Sequence, residues 1–205
     1  MSMNIVKIGF IALLFSLVSC AEKQQILDIS GNWGVSLDSM NSCQPIQLPG
    51  TTDMAGLGVA NELEPALKKP QLLHLTRKHA YIGQAWYKRT VLIPEHMANR
   101  PLTLTLERVL WQSRLWIDGV KHSAEEESLT TPHQYYIAEG LKAGEHEFLL
   151  CIDNRKRYDI STGELAHAYT EDTQVKWNGV LGKMELKAET KLKIHQIDAY
   201  PDVKN

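Results

Sequence analysis

What this chain has little of narrows its class before any motif is read. Three cysteines occur, too few for the disulfide framework that replaces a core in small secreted domains. Neither sign of charge dominates, with Lys plus Arg at 22 against 24 for Asp plus Glu. No global field and no basic cluster attract nucleic acid, so no nucleic-acid partner is expected. No apolar run approaches the roughly 20 residues of a membrane-spanning helix. Amphipathic helices of any length, internal repeats and low-complexity stretches are missing too. There is no Gly-x-Ser-x-Gly elbow and no phosphate-cradling glycine loop. The eight histidines lack metal-binding spacing; His74 and His79 would face opposite sides of an extended strand. No cofactor and no metal are expected.

The N-terminus has the layout of a secretory signal: Lys7, an apolar stretch over 8–18, then Ser19 and Cys20. Leu17-Val18-Ser19-Cys20 resembles the lipobox of bacterial lipoproteins. That resemblance implies removal of 1–19, lipidation of Cys20, a tether over 20–27 and membrane attachment through the lipid. The protein would then be exported to the periplasm or outer membrane. An ordinary signal peptide cleaved nearby, with Cys20 incidental, is the alternative. What remains is one domain of ordinary size with an adequate core. Cys151 lies in the apolar run Phe148-Leu149-Leu150-Cys151-Ile152 and reads as a buried strand residue, so it and Cys43 are expected to stay unpaired.

Period two dominates beyond residue 25. Leu102, Leu104 and Leu106 alternate with Thr103, Thr105 and Glu107, the pattern of a half-buried strand. Strands at 114–117 and 120–122 flank Asp118-Gly119, a favoured two-residue hairpin turn. Others are expected at 32–37, 72–78, 85–93, 145–152, 181–188 and 191–200, with helical turns at 94–99 and 62–68. Trp86 and Trp116 fall in strand runs and are expected in the core, while Trp33 and Trp111 stay unassigned. Glu125-Glu126-Glu127 reads as a solvated edge that discourages strand-on-strand association. Many short strands with Gly, Pro, Asn and Asp between them predict an all-β fold, an antiparallel β-sandwich of jelly-roll type.

The segment 172–186 is the most informative. Asp172 and Gln174 precede Trp177-Asn178-Gly179, and a strand follows. Asn-Gly supplies the positive φ of a tight turn, which would hold the groups before it at a sheet rim. Polar side chains and a flat indole there suit a sugar, which needs hydrogen bonds and an apolar face.

Several segments in order resemble one family: Leu48-Pro49-Gly50-Thr51-Thr52-Asp53, Ala85-Trp86-Tyr87-Lys88-Arg89, Leu115-Trp116-Ile117-Asp118-Gly119, Thr131-Pro132-His133, Leu141-Lys142-Ala143-Gly144-Glu145-His146, Cys151-Ile152-Asp153-Asn154 and Trp177-Asn178-Gly179. Together they are similar to the N-terminal sugar-binding domain of glycoside hydrolase family 2, which holds β-galactosidases, β-glucuronidases and β-mannosidases. The resemblance spans 28–200, with 201–205 as the start of a linker. It implies a jelly roll that precedes an immunoglobulin-like domain and a (β/α)8 barrel. Two barrel glutamates would cleave β-linked glycosides with retention. A barrel takes about 250 residues and cannot fit here, so the chain is expected to be a non-catalytic, carbohydrate-binding part of a longer enzyme. Glu107, Asp118, Glu164 and Asp172 are scattered in sequence and make no catalytic pair.

In the family, an acidic residue ahead of the glycine turn often contacts the sugar. The usual interval back from Gly179 lands on Thr173, so the role would pass to Asp172, Gln174 or Asn178, with Trp177 as a stacking face. The stretch holding Arg77 and His79 would approach the active site as well. Against these stand structural readings: Asp172 capping a turn, Trp177 packed on the sheet, Arg77 and His79 on a solvated edge. The competing function is a stand-alone surface lipoprotein that binds glycans without cleaving them.

Overall fold

Alternation of apolar and polar residues decides the architecture. The computed structural model describes residues 25–39, 42–61, 77–158, 176–190 and 198–201. One sheet holds β2 (Gly31–Ser36), β3 (Gln44–Leu48), β7 (Gln84–Ile93), β9 (Gln112–Ile117), β10 (Val120–Glu127) and β12 (Gly144–Asp153). Its order is β10-β9-β12-β7-β2-β3. The other holds β1 (Ile26–Asp28), β13 (Gly179–Ala188), β8 (Leu102–Val109) and β11 (His133–Ile137) in the order β1-β13-β8-β11, and β4 (Gly50–Thr51) pairs with the start of β13. A two-stranded ribbon, β5 (Val59–Ala60) with β6 (His79–Ala80), stands apart from both sheets. All pairings are antiparallel. This is the all-β sandwich that the alternation predicts.

The core is the inner phase of each strand. Leu102, Leu104 and Leu106 of β8 meet Met184, Leu186 and Ala188 of β13 on one side, and Tyr87, Phe148, Leu150 and Ile152 on the other. Fully burying each large apolar side chain is worth about 1.5–3 kcal/mol. The Asp118-Gly119 turn has φ of 50° and 78°, so both residues take the left-handed conformation that a two-residue turn between twisted strands requires. Glu125–Glu127 closes β10, an edge strand, as expected. The helical turn near 94–99 is a 3-10 turn, Glu95–Met97. Cys43 and Cys151 are unpaired. Strands β3 and β11 were not expected, because Pro45 and the polar His133-Gln134 blur their alternation. The predicted strands at 72–78 and 191–200 and the turn at 62–68 lie wholly or mostly outside the described residues, as do the signal segment and Cys20.

Two expectations are corrected. Trp86 and Trp116 are not in the core: they are half-buried on the outer face of the six-stranded sheet, because the inner phase of β7 and β9 belongs to Ala85, Tyr87 and Leu115. Trp33 and Trp111 are the buried tryptophans, at 2% and 3% exposure. Asn178-Gly179 is also not a hairpin turn. Gly179 opens β13 at φ 137° and runs so close to β4 that a Cβ there would lie 2.2 Å from the Gly50 carbonyl oxygen.

Two glycine substitutions separate local conformation from close approach. Gly119→Ala meets nothing within 4 Å and should cost about 1 kcal/mol in urea unfolding, the left-handed penalty alone. Gly179→Ala must displace backbone and should cost roughly 3 kcal/mol or more; equal losses would show that the contact is soft.

Candidate functional site

One end of the sandwich collects the groups that the sequence singles out. There β7 and β13 begin and β12 ends, so segments 51–53, 77–83, 153–155 and 176–178 share a rim. The knot holding them is the Asn178 side chain, fully buried. Its amide Nδ2 donates to the carbonyl oxygens of Gly83 (3.0 Å) and Ile152 (3.1 Å), and its Oδ1 accepts from the Tyr87 hydroxyl at 2.7 Å. Its own carbonyl accepts from the Thr52 amide at 2.9 Å. Asn154 repeats the device, donating to the carbonyls of Tyr81 (2.9 Å) and Trp177 (3.0 Å) and accepting from the Gly83 amide at 2.8 Å. Asn178 is therefore a buried structural clasp and presents no free group at the rim.

Trp177 lies half-buried beside this clasp, packed with Leu129 against Leu110 and Trp111. Its indole Nε1 is shielded from solvent with no hydrogen-bond partner among the described residues. Arg77 donates from Nη1 to the Lys176 carbonyl at 2.6 Å, joining the 77 and 176 segments. His79 donates its backbone amide to Asp53 Oδ1 at 2.7 Å; its ring Nδ1 stands 3.8 Å from the same oxygen, shielded and without a hydrogen bond. Arg77, His79, Trp177 and Asn178 thus do come together, while Asp172 and Gln174 lie outside the described residues. Asp53 is the residue that sequence reasoning missed. It follows Thr51-Thr52 in a loop pinned by Asn178; the signal in the sequence was the pair Gly56 and Gly58 just after it, both of which take positive φ.

Two carboxylates of the described residues, Glu107 and Asp118, have structural duties. Glu107 Oε2 accepts from the Lys183 amide at 2.8 Å, closing the bulge of β13 at Gly182. Asp118 accepts from the Glu147 amide and pairs with His146 at 2.6 Å. Burial would raise its pKa, but these bonds outweigh that and hold it low, the reverse of what a glycosidic acid needs. Ser113 Oγ lies 2.6 Å from His133 Nδ1 and 2.8 Å from the Tyr135 hydroxyl. All three residues are fully buried between the sheets, so this Ser-His pair is closed to any substrate. No group of three or more metal-binding side chains occurs among the described residues, and no helix among them is long and apolar enough to cross a membrane.

No family model matches the sequence, and no curated protein matches it. The fold, in contrast, has many likenesses. The chain superposes on a β-D-glucuronidase from Dictyoglomus thermophilum with a TM-score of 0.60 and 15% identity, over 88% of this chain and 30% of that one. A β-glucuronidase from an uncultured Clostridium gives 0.58 at 14% identity, over 82% and 29%. A family 2 β-galacturonidase from Eisenbergiella tayi, bound to galacturonate, gives 0.53 at 15%, over 81% and 24%. The chain has the fold of one part of these enzymes and spans less than a third of their length.

Two predictions follow from the buried polar groups. Asn178→Ala removes the partner of the buried Tyr87 hydroxyl and the amide bonds to the Gly83 and Ile152 carbonyls and should cost about 3 kcal/mol; a loss below about 1 kcal/mol would remove the clasp from its structural role. The second concerns pH. Burial holds the His133 pKa below 6.5, against the opposing Ser128 carbonyl. The unfolded chain therefore takes up a proton first as pH falls, and stability declines from about pH 6.5 downward. Asp153 titrates lower. Despite burial, hydrogen bonds from Arg155 and Gln84 hold it at about 2 against 3.8, so its contribution is present above about pH 4 and is lost between there and 2. His133→Gln should flatten the upper window and leave the lower one; unchanged curves in urea titrations would refute the assignment.

Proposed function

We propose that this chain is the non-catalytic, carbohydrate-binding jelly-roll domain of an exported family 2 β-glycosidase, bracing the barrel and lending its rim to the substrate pocket. The observation that carries this reading is the fold likeness: nearly the whole chain matches a minor part of several glycuronidases. The rim supports it further, since Asp53, His79 and Trp177 are positioned by a rigid clasp rather than by mobile loops. Two of them, His79 and Trp177, hold a shielded ring nitrogen without a hydrogen bond among the described residues, and a sugar hydroxyl could supply one. Hydrolysis itself would belong to glutamates of the barrel, acting with retention. The immunoglobulin-like and barrel domains are the partners this implies. Lipidation at Cys20, and with it a periplasmic or outer-membrane location, belongs to the same proposal and rests on residues 17–20 alone.

The competing reading, a lipoprotein that binds glycans by itself, draws on the half-exposed tryptophans of the outer sheet face. Reading the source DNA past codon 205 separates the two. A frame continuing into a barrel with two glutamates supports the enzyme domain; a stop codon there overturns it. This chain alone should show no turnover of aryl β-glycosides, β-glucuronides included, and measurable turnover by pure protein would refute that. In the full-length enzyme, Asp53→Asn and Trp177→Ala should each lower kcat/KM about tenfold, the effect of losing one substrate contact.

A further inference from the structure

The outer face of the six-stranded sheet carries a cluster that neither the core nor the rim explains. Strand register sets Trp86, Cys151 and Arg114 side by side across β7, β12 and β9, and sets Lys88, Leu149 and Trp116 in the next row. The Trp86 and Trp116 rings meet at 5.3 Å with 43° between their planes. The Arg114 guanidinium lies 6.0 Å from one ring centroid and 5.9 Å from the other. On either flank the charges are already matched, Lys88 with Glu147 and Lys121 with Glu125, each at 2.6 Å. Arg114 is different. Its cross-strand neighbour Glu125 attracts it but is already bound to Lys121; Arg114 itself donates to the Cys151 sulfur at 3.1 Å, and its Nε is shielded without a hydrogen-bond partner. Two cations, Arg114 and Lys121, thus share one carboxylate beside two indoles, which leaves one positive charge in excess.

We propose that this face binds a carboxylate-bearing sugar of an acidic glycan, an indole covering the pyranose ring and Arg114 taking the carboxylate. Each half follows from the chemistry. A sugar ring has one apolar face that stacks on an indole, and the planar guanidinium fork matches a carboxylate in two parallel hydrogen bonds. A neutral sugar would leave the cation unmatched. A nucleic acid would need several uncompensated cations, and here there is one. A stable protein interface needs about 20–30 residues a side, whereas closed ion pairs bound this patch on both flanks. The cluster sits two residues along each strand from the rim row Gln84, Asp153 and Gln112, roughly 7 Å away and on the solvent side. It therefore stands whether or not the chain belongs to a glycosidase.

Electrophoresis of the chain through gels containing polygalacturonate or hyaluronan tests this, with hydroxyethylcellulose as the neutral gel. Tryptophan fluorescence titrated with trigalacturonate gives the affinity. The acidic gels should retard the protein, and retardation should persist at roughly 0.15 M salt, where exposed charges are screened. Trp116→Ala and Arg114→Gln should each weaken binding about tenfold. Arg114→Lys, which keeps the charge and loses the fork, should weaken it severalfold. Leu92→Ser, on the same face but outside the cluster, should change nothing. Thermal melts by circular dichroism identify any variant that fails to fold, and Trp116→Phe then replaces Trp116→Ala. No retardation, equal retardation in the neutral gel, or binding indifferent to both Arg114 variants would overturn the proposal.

Discussion

The buried carboxamide of Asn178 is the interaction on which the rim of this protein depends. Strand ends are where a sandwich is weakest, since the ladder stops and each terminal carbonyl or amide needs another partner. Here one side chain meets the carbonyls that end β12 and precede β7, and takes the hydroxyl of a core tyrosine. Such a group is expensive to bury without partners and stabilising only when all are present. The geometry around it is correspondingly fixed: Trp177 on one side and Gly179 on the other have no freedom to drift. Gly179 has no side chain because β4 passes where a Cβ would stand. Rigidity at Asn178, close approach at Gly179 and the position of Asp53 are one constraint seen from three residues.

The two faces of the six-stranded sheet show how the same alternation produces different chemistry. Inward residues form a largely apolar layer; among its polar members are Ser113 and Arg89, which donates to the carbonyls of Ile29 and Ser30 and so closes the strand gap before β2. Outward residues form polar contacts, Gln84 with Asp153 in register and Gln112 with Glu125 on the diagonal. Trp86 and Trp116 interrupt this polar face. Placing two indoles on the wet side of a sheet earns no core packing, and they cover Cys151, whose thiol burial pushes up in pKa against the pull of Arg114. A cysteine so covered is inert, consistent with its lacking a disulfide.

Much of this architecture was legible in the sequence because period two is a direct consequence of strand geometry. β7, β8, β12 and β13 announced themselves within a residue or two at each end. The Asp118-Gly119 hairpin was legible because few residue pairs tolerate two left-handed positions. The face on which a strand turns its tryptophans was not. Ala85-Trp86-Tyr87 alternates either way, and only packing against the opposite sheet shows that Tyr87 points inward. Asn178-Gly179 misled for a related reason, since a glycine demanded by a neighbouring backbone looks the same as one demanded by a turn. Asp53 stayed hidden because its importance comes from Thr52 meeting Asn178, a contact between segments far apart in the sequence.

The rim and the outer face also differ in what they have left to satisfy. At the rim, the Asn178 and Asn154 carboxamides are fully engaged, yet the ring nitrogens of His79 and Trp177 are shielded without hydrogen bonds among the described residues. Each such group costs about 1–3 kcal/mol relative to a satisfied one. A fold can carry that cost only if its framework is over-determined, and the Asn178 clasp supplies the surplus. On the outer face the unsatisfied group is the guanidinium Nε of Arg114, and its setting is aromatic rather than polar. Polar hydrogen-bonding groups fix the orientation of a ligand, whereas an indole with a cation favours its charge and shape. The rim and the outer face, two residues apart along β7 and β12, therefore leave different kinds of group unsatisfied on a single sheet, with the Asp153–Arg155 pair beside the boundary between them.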